Sequence, residues 1–210
     1  MAGERYPPWR RMAAATVLWA LAIVGAGARE ADSVGEEVVS DRNAGSLSEF
    51  RAGEAAAWRS IDDVVMGGVS SSRLTLTSAG TGVFEGAVSL ANNGGFASVR
   101  RPVGPLDLSA HPGIELRVRG DGRRYRLRLR PDDRFDGVAW QAGFETLDGE
   151  WRVVALPFAD FEPSYRGRRP AGAGPVDTRR IAQLGLMIAD RQAGPFRLEI
   201  DWIRAQPTGR

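Results

Sequence analysis

The stretch GIELRVRGDGRRYRLRLR, residues 113–130, carries the pattern that decides the fold of this chain. Every second residue is apolar on both sides of a glycine-containing turn: Ile114, Leu116, Val118, Tyr125, Leu127 and Leu129. A period of two predicts β-strands with one buried face. The turn at residues 120–122, Gly-Asp-Gly, favours a tight reversal. The stretch therefore predicts two strands joined as a hairpin.

The polar face of this predicted hairpin is rich in arginine: Arg117, Arg119, Arg124, Arg126, Arg128 and Arg130. Like charges on neighbouring strands repel, so such a face needs nearby acids or an anionic partner. Glu115 and Asp121 are local acids, and we expect acids from other strands to balance the rest. Arg119, Asp121, Arg126 and Arg128 form a secondary candidate binding surface. Aromatic residues do not alternate with these arginines, which argues against a platform for single-stranded nucleic acid.

The same period of two recurs on both sides of the stretch, with turn residues between the runs. The apolar sets include Leu74 and Leu76, Phe84 and Val88, Trp140 and Phe144, Trp151 and Val153, Leu184 and Leu186, and Phe196 to Trp202. About nine short strands with one apolar face each predict an all-β fold, an antiparallel β-sandwich of two sheets. Trp151 and Trp202 lie at apolar positions, so we expect both in the core.

The N-terminus has the pattern of a targeting segment. Arg5, Arg10 and Arg11 precede an apolar run that ends in Ala-Gly-Ala at residues 26–28. This order is typical of a secretory signal peptide and predicts export to the periplasm or the extracellular space. The alternatives are an uncleaved anchor, which would be the only membrane contact, and a mitochondrial presequence. We interpret residues 29–48 as a flexible linker and residues 49–206 as the β-sandwich domain.

The composition excludes several kinds of site. The 210 residues include no cysteine, which excludes disulfides, thiolate zinc sites and cysteine nucleophiles. All 28 basic residues are arginine, and the net charge is only +2, so no nucleic-acid partner is expected. The single histidine, His111, is followed by proline and suits a turn better than a catalytic triad.

Two pairs of adjacent aspartates, Asp62-Asp63 and Asp132-Asp133, could suggest acid/base chemistry. Neighbouring residues on a strand point to opposite faces, so neither pair is an obvious catalytic dyad. Calcium binding by loop aspartates is left open, because calcium needs only oxygen ligands. We assign no catalytic residue, cofactor or metal ligand.

Two glycine-containing segments, residues 62–70 and 92–96, are the main candidate binding surface. Their candidate residues are Asp62, Asp63, Met66, Gly67, Gly68, Ser70, Asn92, Asn93, Gly94, Gly95 and Phe96. Asparagine and glycine permit left-handed backbone and close chain approach. The segments are either tight turns or a recognition surface on a rigid scaffold. We expect them to pack together, with Asp63 or Asn92 capping the glycine-rich backbone.

The same segments carry a resemblance to a known family. Residues 63–70, DVVMGGVS, closely resemble the hallmark of the complex I intermediate-associated protein 30 family. The resemblance continues through residues 92–100, 119–122 and 194–196, and covers roughly residues 50–204. It implies a galactose-binding-like β-sandwich and an assembly-factor or chaperone-like role, best known for mitochondrial complex I. The family has no established catalytic residues. An exported member would have another client, because the mitochondrial members act in the matrix.

Two functions follow as hypotheses. The first is a non-enzymatic protein-interaction domain with an unknown protein client. The alternative is a carbohydrate-binding module that binds a glycan, which needs an exposed aromatic platform from Trp58, Trp140, Trp151 or Trp202. A third hypothesis, an enzyme with an unrecognised site, has no residues to support it.

Overall fold

Twelve β-strands make up the sheets of residues 45–208, the part of the chain that this computed structural model describes. They are β1 (Ser46–Ser48), β2 (Arg59–Ser60), β3 (Ser71–Leu76), β4 (Gly82–Val88), β5 (Ala97–Leu106), β6 (Gly113–Arg119), β7 (Arg124–Arg130), β8 (Ala139–Glu145), β9 (Trp151–Pro157), β10 (Glu162–Ser164), β11 (Ile181–Ile188) and β12 (Gly194–Ala205). The predicted signal peptide, residues 1–28, and residues 29–44 of the predicted linker lie outside the described residues.

The strands form two six-stranded antiparallel sheets. Sheet I has the order β3-β4-β12-β6-β9, with β1 also paired to β12. Sheet II has the order β10-β8-β7-β11-β5-β2. The predicted all-β antiparallel sandwich is confirmed. It has more strands than expected because β1, β2 and β10 are only two or three residues long, too short to show a period in the sequence.

The core lies between the sheets and contains the inward side chains of nearly every strand. Phe84 from sheet I and Tyr125 from sheet II are both fully buried, and their rings lie 6.4 Å apart at a steep angle. Phe196 packs against Phe84 at 4.9 Å between ring centres. The Tyr125 hydroxyl donates a hydrogen bond to Asp121 over 2.9 Å, so its polar end is satisfied. Aromatic packing thus joins the two sheets.

The predicted hairpin at residues 113–130 is wrong, although both strands exist. β6 lies between β12 and β9 in sheet I, and β7 lies between β11 and β8 in sheet II. The turn at residues 120–123 therefore crosses from one sheet to the other. A Cβ at Gly120 would lie 2.3 Å from the Thr146 hydroxyl, so this crossing needs glycine. Alternation identifies a strand but does not choose its partner, which is why the pairing was missed.

The expected core position of Trp202 is wrong because β12 contains an irregularity, although the side chain is still partly buried. Its register shifts between Ile200 and Trp202, so the alternation changes phase. Ile203 and Ala205 then face the core, while Trp202 is only half-buried. The guanidinium of Arg204 lies 4.1 Å from the Trp202 ring centre.

Trp151 also lies outside the core, contrary to expectation, although its side chain is partly buried. In β9 the core residue is Leu156, while Trp151 is half-buried and Val153 is exposed on the opposite face. Arg117 and Arg119 lie over the Trp151 ring at 4.6 and 5.0 Å from its centre. This strand is apolar on both faces, so the sequence did not show which face is inward.

The sandwich begins earlier than predicted. Residues 46–48, placed in the flexible linker from sequence, form β1 and pair with β12. Leu47 is buried at 6% exposure, and the Phe50 ring that follows stacks on Trp58. The acidic character of residues 29–48 concealed this short strand. None of the described helices, all single 3-10 turns, is long or apolar enough to cross a membrane.

Candidate functional site

The Asp62-Asp63 pair lies where the chain crosses between the edges of the two sheets. β2 is the outermost strand of sheet II, and β3 is the outermost strand of sheet I. Residues 61–70 connect them through a 3-10 turn at Asp63–Met66. The predicted segment at residues 92–96 lies on a second crossing, from β4 in sheet I to β5 in sheet II. Both candidate segments are therefore sheet-to-sheet connections on the same side of the sandwich.

Asp63 holds the two connections together. Its side chain is completely buried. Oδ1 accepts a hydrogen bond from the Ser70 N–H at 2.9 Å, and Oδ2 accepts from the Gly95 N–H at 2.7 Å and the Ser70 hydroxyl at 2.5 Å. The Phe96 N–H adds a longer bond to Oδ2 at 3.3 Å. The expected packing of residues 62–70 against 92–96 is confirmed, and Asp63 rather than Asn92 is the residue that caps the glycine-rich backbone.

These hydrogen bonds set the ionisation of Asp63. Burial alone would raise the pKa of this carboxyl group. The Ser70 hydroxyl and the N–H groups of Gly95, Ser70 and Phe96 outweigh burial and hold the pKa below its ordinary value. Asp63 is therefore an ionised structural group whose oxygens are occupied by donors.

Two glycines leave the space that the Asp63 carboxylate fills. A Cβ at Gly68 would lie 2.3 Å from Oδ1, and a Cβ at Gly94 would lie 2.6 Å from Oδ2. Nearby, Asn92 and Asn93 have left-handed backbone, with φ of 54° and 60°. The Asn-Asn-Gly-Gly and Gly-Gly patterns thus have a structural cause: backbone folded tightly around one carboxylate.

Asp62 fastens the two sheets together next to this cap. Its carboxylate accepts hydrogen bonds from the Ser72 N–H at 2.9 Å, the Ser72 hydroxyl at 2.6 Å and the Ser98 N–H at 2.9 Å. Ser72 is on β3 of sheet I and Ser98 is on β5 of sheet II. The adjacent carboxylates therefore have separate structural partners. Neither oxygen set is arranged as an acid/base pair.

Above this polar layer, the loop exposes apolar side chains. The exposed fractions are 61% for Val64, 62% for Val65, 59% for Met66 and 56% for Val69. Leu90, on the second connection, is 36% exposed and lies 3.5 Å from the Cβ position of Gly95. We call these five residues the apolar loop patch. Such a cluster on a loop is typical of an interaction surface.

The predicted site residues therefore divide into two layers. Asp63, Gly68 and Ser70 are buried, and they support the loop. Met66 is the one predicted apolar side chain that is largely exposed. Sequence reasoning missed the other members of the patch: Val64, Val65, Val69 and Leu90. For Val64 and Val65, the sequence does offer a signal of exposure: they belong to an apolar run without a strand or helix period, between two acids and two glycines.

The secondary candidate surface does not form one face. Arg119 pairs with Glu199 at 2.6 Å on the outer face of sheet I, and Arg126, on β7 inside sheet II, pairs with Asp190. Asp121 accepts hydrogen bonds from Tyr125 and from the Arg197 N–H, and so stabilises the crossing turn. Acids from other strands balance these arginines, as expected. Arg128 differs, since no carboxylate within residues 45–208 pairs with it.

The remaining candidates have structural surroundings. His111 Nδ1 lies 3.0 Å from the Gln206 carbonyl oxygen, in the turn that precedes β6. Asp132 accepts a hydrogen bond from the Arg134 N–H at 3.2 Å. Among residues 45–208, no group of three or more acidic or histidine side chains is arranged to hold a metal ion.

The sandwich is similar to carbohydrate-binding modules of known structure. A family 11 module from Clostridium thermocellum, in complex with a mixed-linked tetrasaccharide, superposes with a TM-score of 0.59 at 18% identity, over 79% of this chain and 97% of the module. The family 11 module of a cellulosomal cellulase from the same organism gives 0.60 at 18% identity, over 79% and 95%. The protein thus shares the two-sheet β-sandwich fold of these modules, and at this identity the likeness extends to the fold alone.

The sequence comparisons are more specific. The family model described as Complex I intermediate-associated protein 30 matches residues 48–200, and the chain belongs to that family. The mitochondrial protein of this name from Drosophila melanogaster is 28% identical over 158 residues, 65% of this chain and 53% of the fly protein. The Mus musculus protein is 36% identical over 101 residues, 46% of this chain and 31% of the mouse protein. The chain therefore spans about half the length of the fly relative, and less of the mouse relative.

Proposed function

We propose that this domain is a non-enzymatic assembly-factor domain that holds a protein client on the apolar loop patch. The observation that carries the proposal is the exposure of Val64, Val65, Met66 and Val69, each more than half accessible on one short loop. Membership of a family whose relatives are named as complex I intermediate-associated proteins supports a protein client. The client itself is unknown.

The support beneath the patch favours binding over a merely mobile loop. Asp63 fixes the loop through four hydrogen bonds, and Asp62 fixes its start to both sheets. A loop that is already ordered loses less conformational entropy when a partner binds. Burying its apolar side chains would contribute about 25 cal/mol per Å² removed from water. The favoured partner is an apolar segment of a partly assembled protein.

The glycan alternative has weaker support from the side chains. Trp58 is buried against Phe50, and Trp151 and Trp202 each have an arginine over the ring. Trp140 is half-buried and donates its Nε1–H to the Gly174 carbonyl at 3.0 Å. These rings are not arranged as a bare aromatic platform for sugars, so the fold alone favours this function.

The test compares two sets of exposed apolar residues. A triple variant, Val64→Ser, Val65→Ser and Met66→Ser, removes three of the five apolar side chains of the patch. Val153→Ser is the matched control, since Val153 is 56% exposed on β9 of sheet I. Crosslinking in cells followed by mass spectrometry identifies the client, and titration of the purified client gives Kd. We expect the triple variant to bind at least about tenfold more weakly, a loss of about 1.4 kcal/mol, and Val153→Ser to bind as the wild type does.

A client bound equally well by the wild type and the folded triple variant would overturn the proposal. Specific binding on a glycan array, together with no crosslinked client, would instead establish the alternative. We expect both variants to have nearly the melting temperature of the wild type, because exposed side chains contribute little to folding stability.

A further inference from the structure

Three arginines meet on the outer face of sheet II. Arg100 lies on β5, and Arg128 and Arg130 lie on β7. β11 runs between these strands, and its residue Gly185 pairs with both Arg100 and Arg128. The two arginine side chains therefore flank a position that has no side chain, and Arg130 lies one step further along the same face.

This trio differs from the other strand arginines, most of which have an acidic partner. Ion pairs join Arg117 to Asp201, Arg119 to Glu199, Arg124 to Glu145, Arg126 to Asp190, Arg197 to Glu85 and Arg204 to Glu115. Within residues 45–208, no carboxylate lies within ion-pair distance of Arg100, Arg128 or Arg130. Three like charges are thus grouped without a directly bound counter-charge.

The guanidinium groups are also short of hydrogen-bond acceptors. Arg100 and Arg130 share one carbonyl oxygen, that of Phe135, with the Nη1 of each at 3.1 Å. Arg130 is only 6% exposed, yet its Nε and Nη2 have no partner among the described residues, nor does the buried Nε of Arg128. Unsatisfied buried donors of this kind are destabilising, and more so when the group is charged.

The pKa values of these arginines also indicate that their positive charges are poorly compensated. Burial first, and then repulsion from neighbouring arginines, lower the pKa of Arg100 and of Arg128 to about 10. Asp132 and Asp136 act on Arg100 and Arg130 from longer range. Asp136 is already bonded to Arg166 at 2.6 Å and to the Tyr165 hydroxyl at 3.1 Å. These acids therefore offset the positive field only in part.

A small cavity of about 30 Å³ lies among these side chains, with Ile61 and Ser98 at its rim and Gly185 in its lining. A Cβ at Gly185 would sit 3.6 Å from the Cβ of Arg128 and 3.9 Å from that of Arg100, so any larger side chain there would enter the space between them. The space holds about two water-sized groups, which matches the two oxygens of a carboxylate, or two of the oxygens of a phosphate group, but not a sugar ring.

We propose that Arg100, Arg128 and Arg130 form a binding site for a single oxyanion group, a carboxylate or a phosphate, seated over Gly185. Such a group supplies the acceptors that the buried N–H donors lack and the negative charge that the trio lacks. Arginine matches carboxylate and phosphate oxygens in a two-pronged geometry, which gives the site its selectivity for oxyanions over neutral groups. None of these three arginines belongs to the apolar loop patch, and the proposal does not depend on the proposed function.

The experiment titrates the full-length protein with inorganic phosphate, with glucuronate and with glucose as the neutral control, at constant ionic strength. Binding is followed by calorimetry and by amide chemical shifts. We expect phosphate or glucuronate to bind the wild type and to shift the amides around Gly185, and glucose to have no effect. The phosphate and glucuronate arms distinguish a phosphate ligand from an acidic saccharide.

Three variants separate the site from general attraction to positive charge. Arg128→Gln removes one of the trio, and Gly185→Val keeps all three charges but fills the cavity. Arg124→Gln is the matched control, because Arg124 lies on the same strand and face but is paired with Glu145. We expect at least tenfold weaker binding for Arg128→Gln and Gly185→Val, and wild-type binding for Arg124→Gln. Absence of binding to the wild type, or equal losses in all three variants, would overturn the proposal.

Discussion

Asp63 is the residue on which the candidate site depends most. One buried carboxylate accepts hydrogen bonds from both sheet-to-sheet connections, and two glycines leave room for it. Its effect reaches the exposed loop indirectly, since Val64 to Met66 follow it in the same turn. Asp63 therefore orders the patch without touching a partner itself.

Replacing this carboxylate tests the cap. We expect Asp63→Asn to lower the free energy of unfolding by about 3 kcal/mol at pH 7, because a charged acceptor of several N–H and O–H groups is lost. Asp133→Asn, a change at an exposed aspartate, is the control and should have little effect. Urea denaturation followed by tryptophan fluorescence measures both.

The same variant has a defined pH dependence. The pKa of Asp63 is lowered in the folded protein, so its stabilisation is present above the unfolded pKa of about 3.9 and is lost as pH falls through the folded pKa. The stability difference between wild type and Asp63→Asn should therefore shrink below about pH 4. An equal difference at pH 3 and pH 7 would contradict the assignment of the ionised group to the cap.

At this scale the sequence predicted part of the site. The Asp63 cap followed from the glycine and asparagine pattern beside an acid. The role of Asp62 did not, because its partners Ser72 and Ser98 are distant in sequence and belong to different sheets. The unpaired state of Arg128 was equally hidden, since it depends on which strands lie beside β7.

At the scale of strands, the sequence predicted most elements and missed their partners. β6 and β7 were both expected, but they belong to separate sheets. In β12 the apolar pattern continued through Trp202, while the register shift turned that side chain outward. A period of two has no information about bulges, so the phase after residue 200 could not be read from the sequence.

The outward orientation of Trp202 can be tested by comparing how much stability is lost when Trp151, Trp202 or Phe84 is replaced by alanine. Trp151→Ala and Trp202→Ala should each cost about 2 kcal/mol, since both rings are only partly buried on the outer face of sheet I, where arginines lie over them. Phe84→Ala should cost about 3–5 kcal/mol, because Phe84 is fully buried between the sheets. Urea denaturation of the three variants is the measurement. Similar losses for Trp202 and Phe84 would contradict the outward orientation of Trp202.

At the scale of the molecule, the two-sheet sandwich was the most predictable feature. Many short alternating segments without a long helix have few other solutions. The start of the domain was not predictable, because a three-residue strand at the end of an acidic segment has no periodic signal. Signal-peptide cleavage and export concern residues outside the described part and stay predictions.

The domain boundary has its own test. Leu47 was assigned to a flexible linker from sequence but is buried next to β12. We expect Leu47→Ala to lower the free energy of unfolding by about 2–3 kcal/mol. Val153→Ala, at an exposed position, is the control. A Leu47→Ala variant as stable as the wild type would restore the linker interpretation of residues 46–48.

The position of β12 has a consequence for synthesis on the ribosome. This strand lies in the middle of sheet I, between β4 and β6, although it is the last strand within residues 45–208. Until about residue 205 has left the exit tunnel, β4 and β6 each have an edge without a partner. Unpaired edges of this kind are prone to join with other chains. A protein proposed to hold unfinished assemblies thus passes through an unfinished state of its own, which ends only when its central strand is inserted.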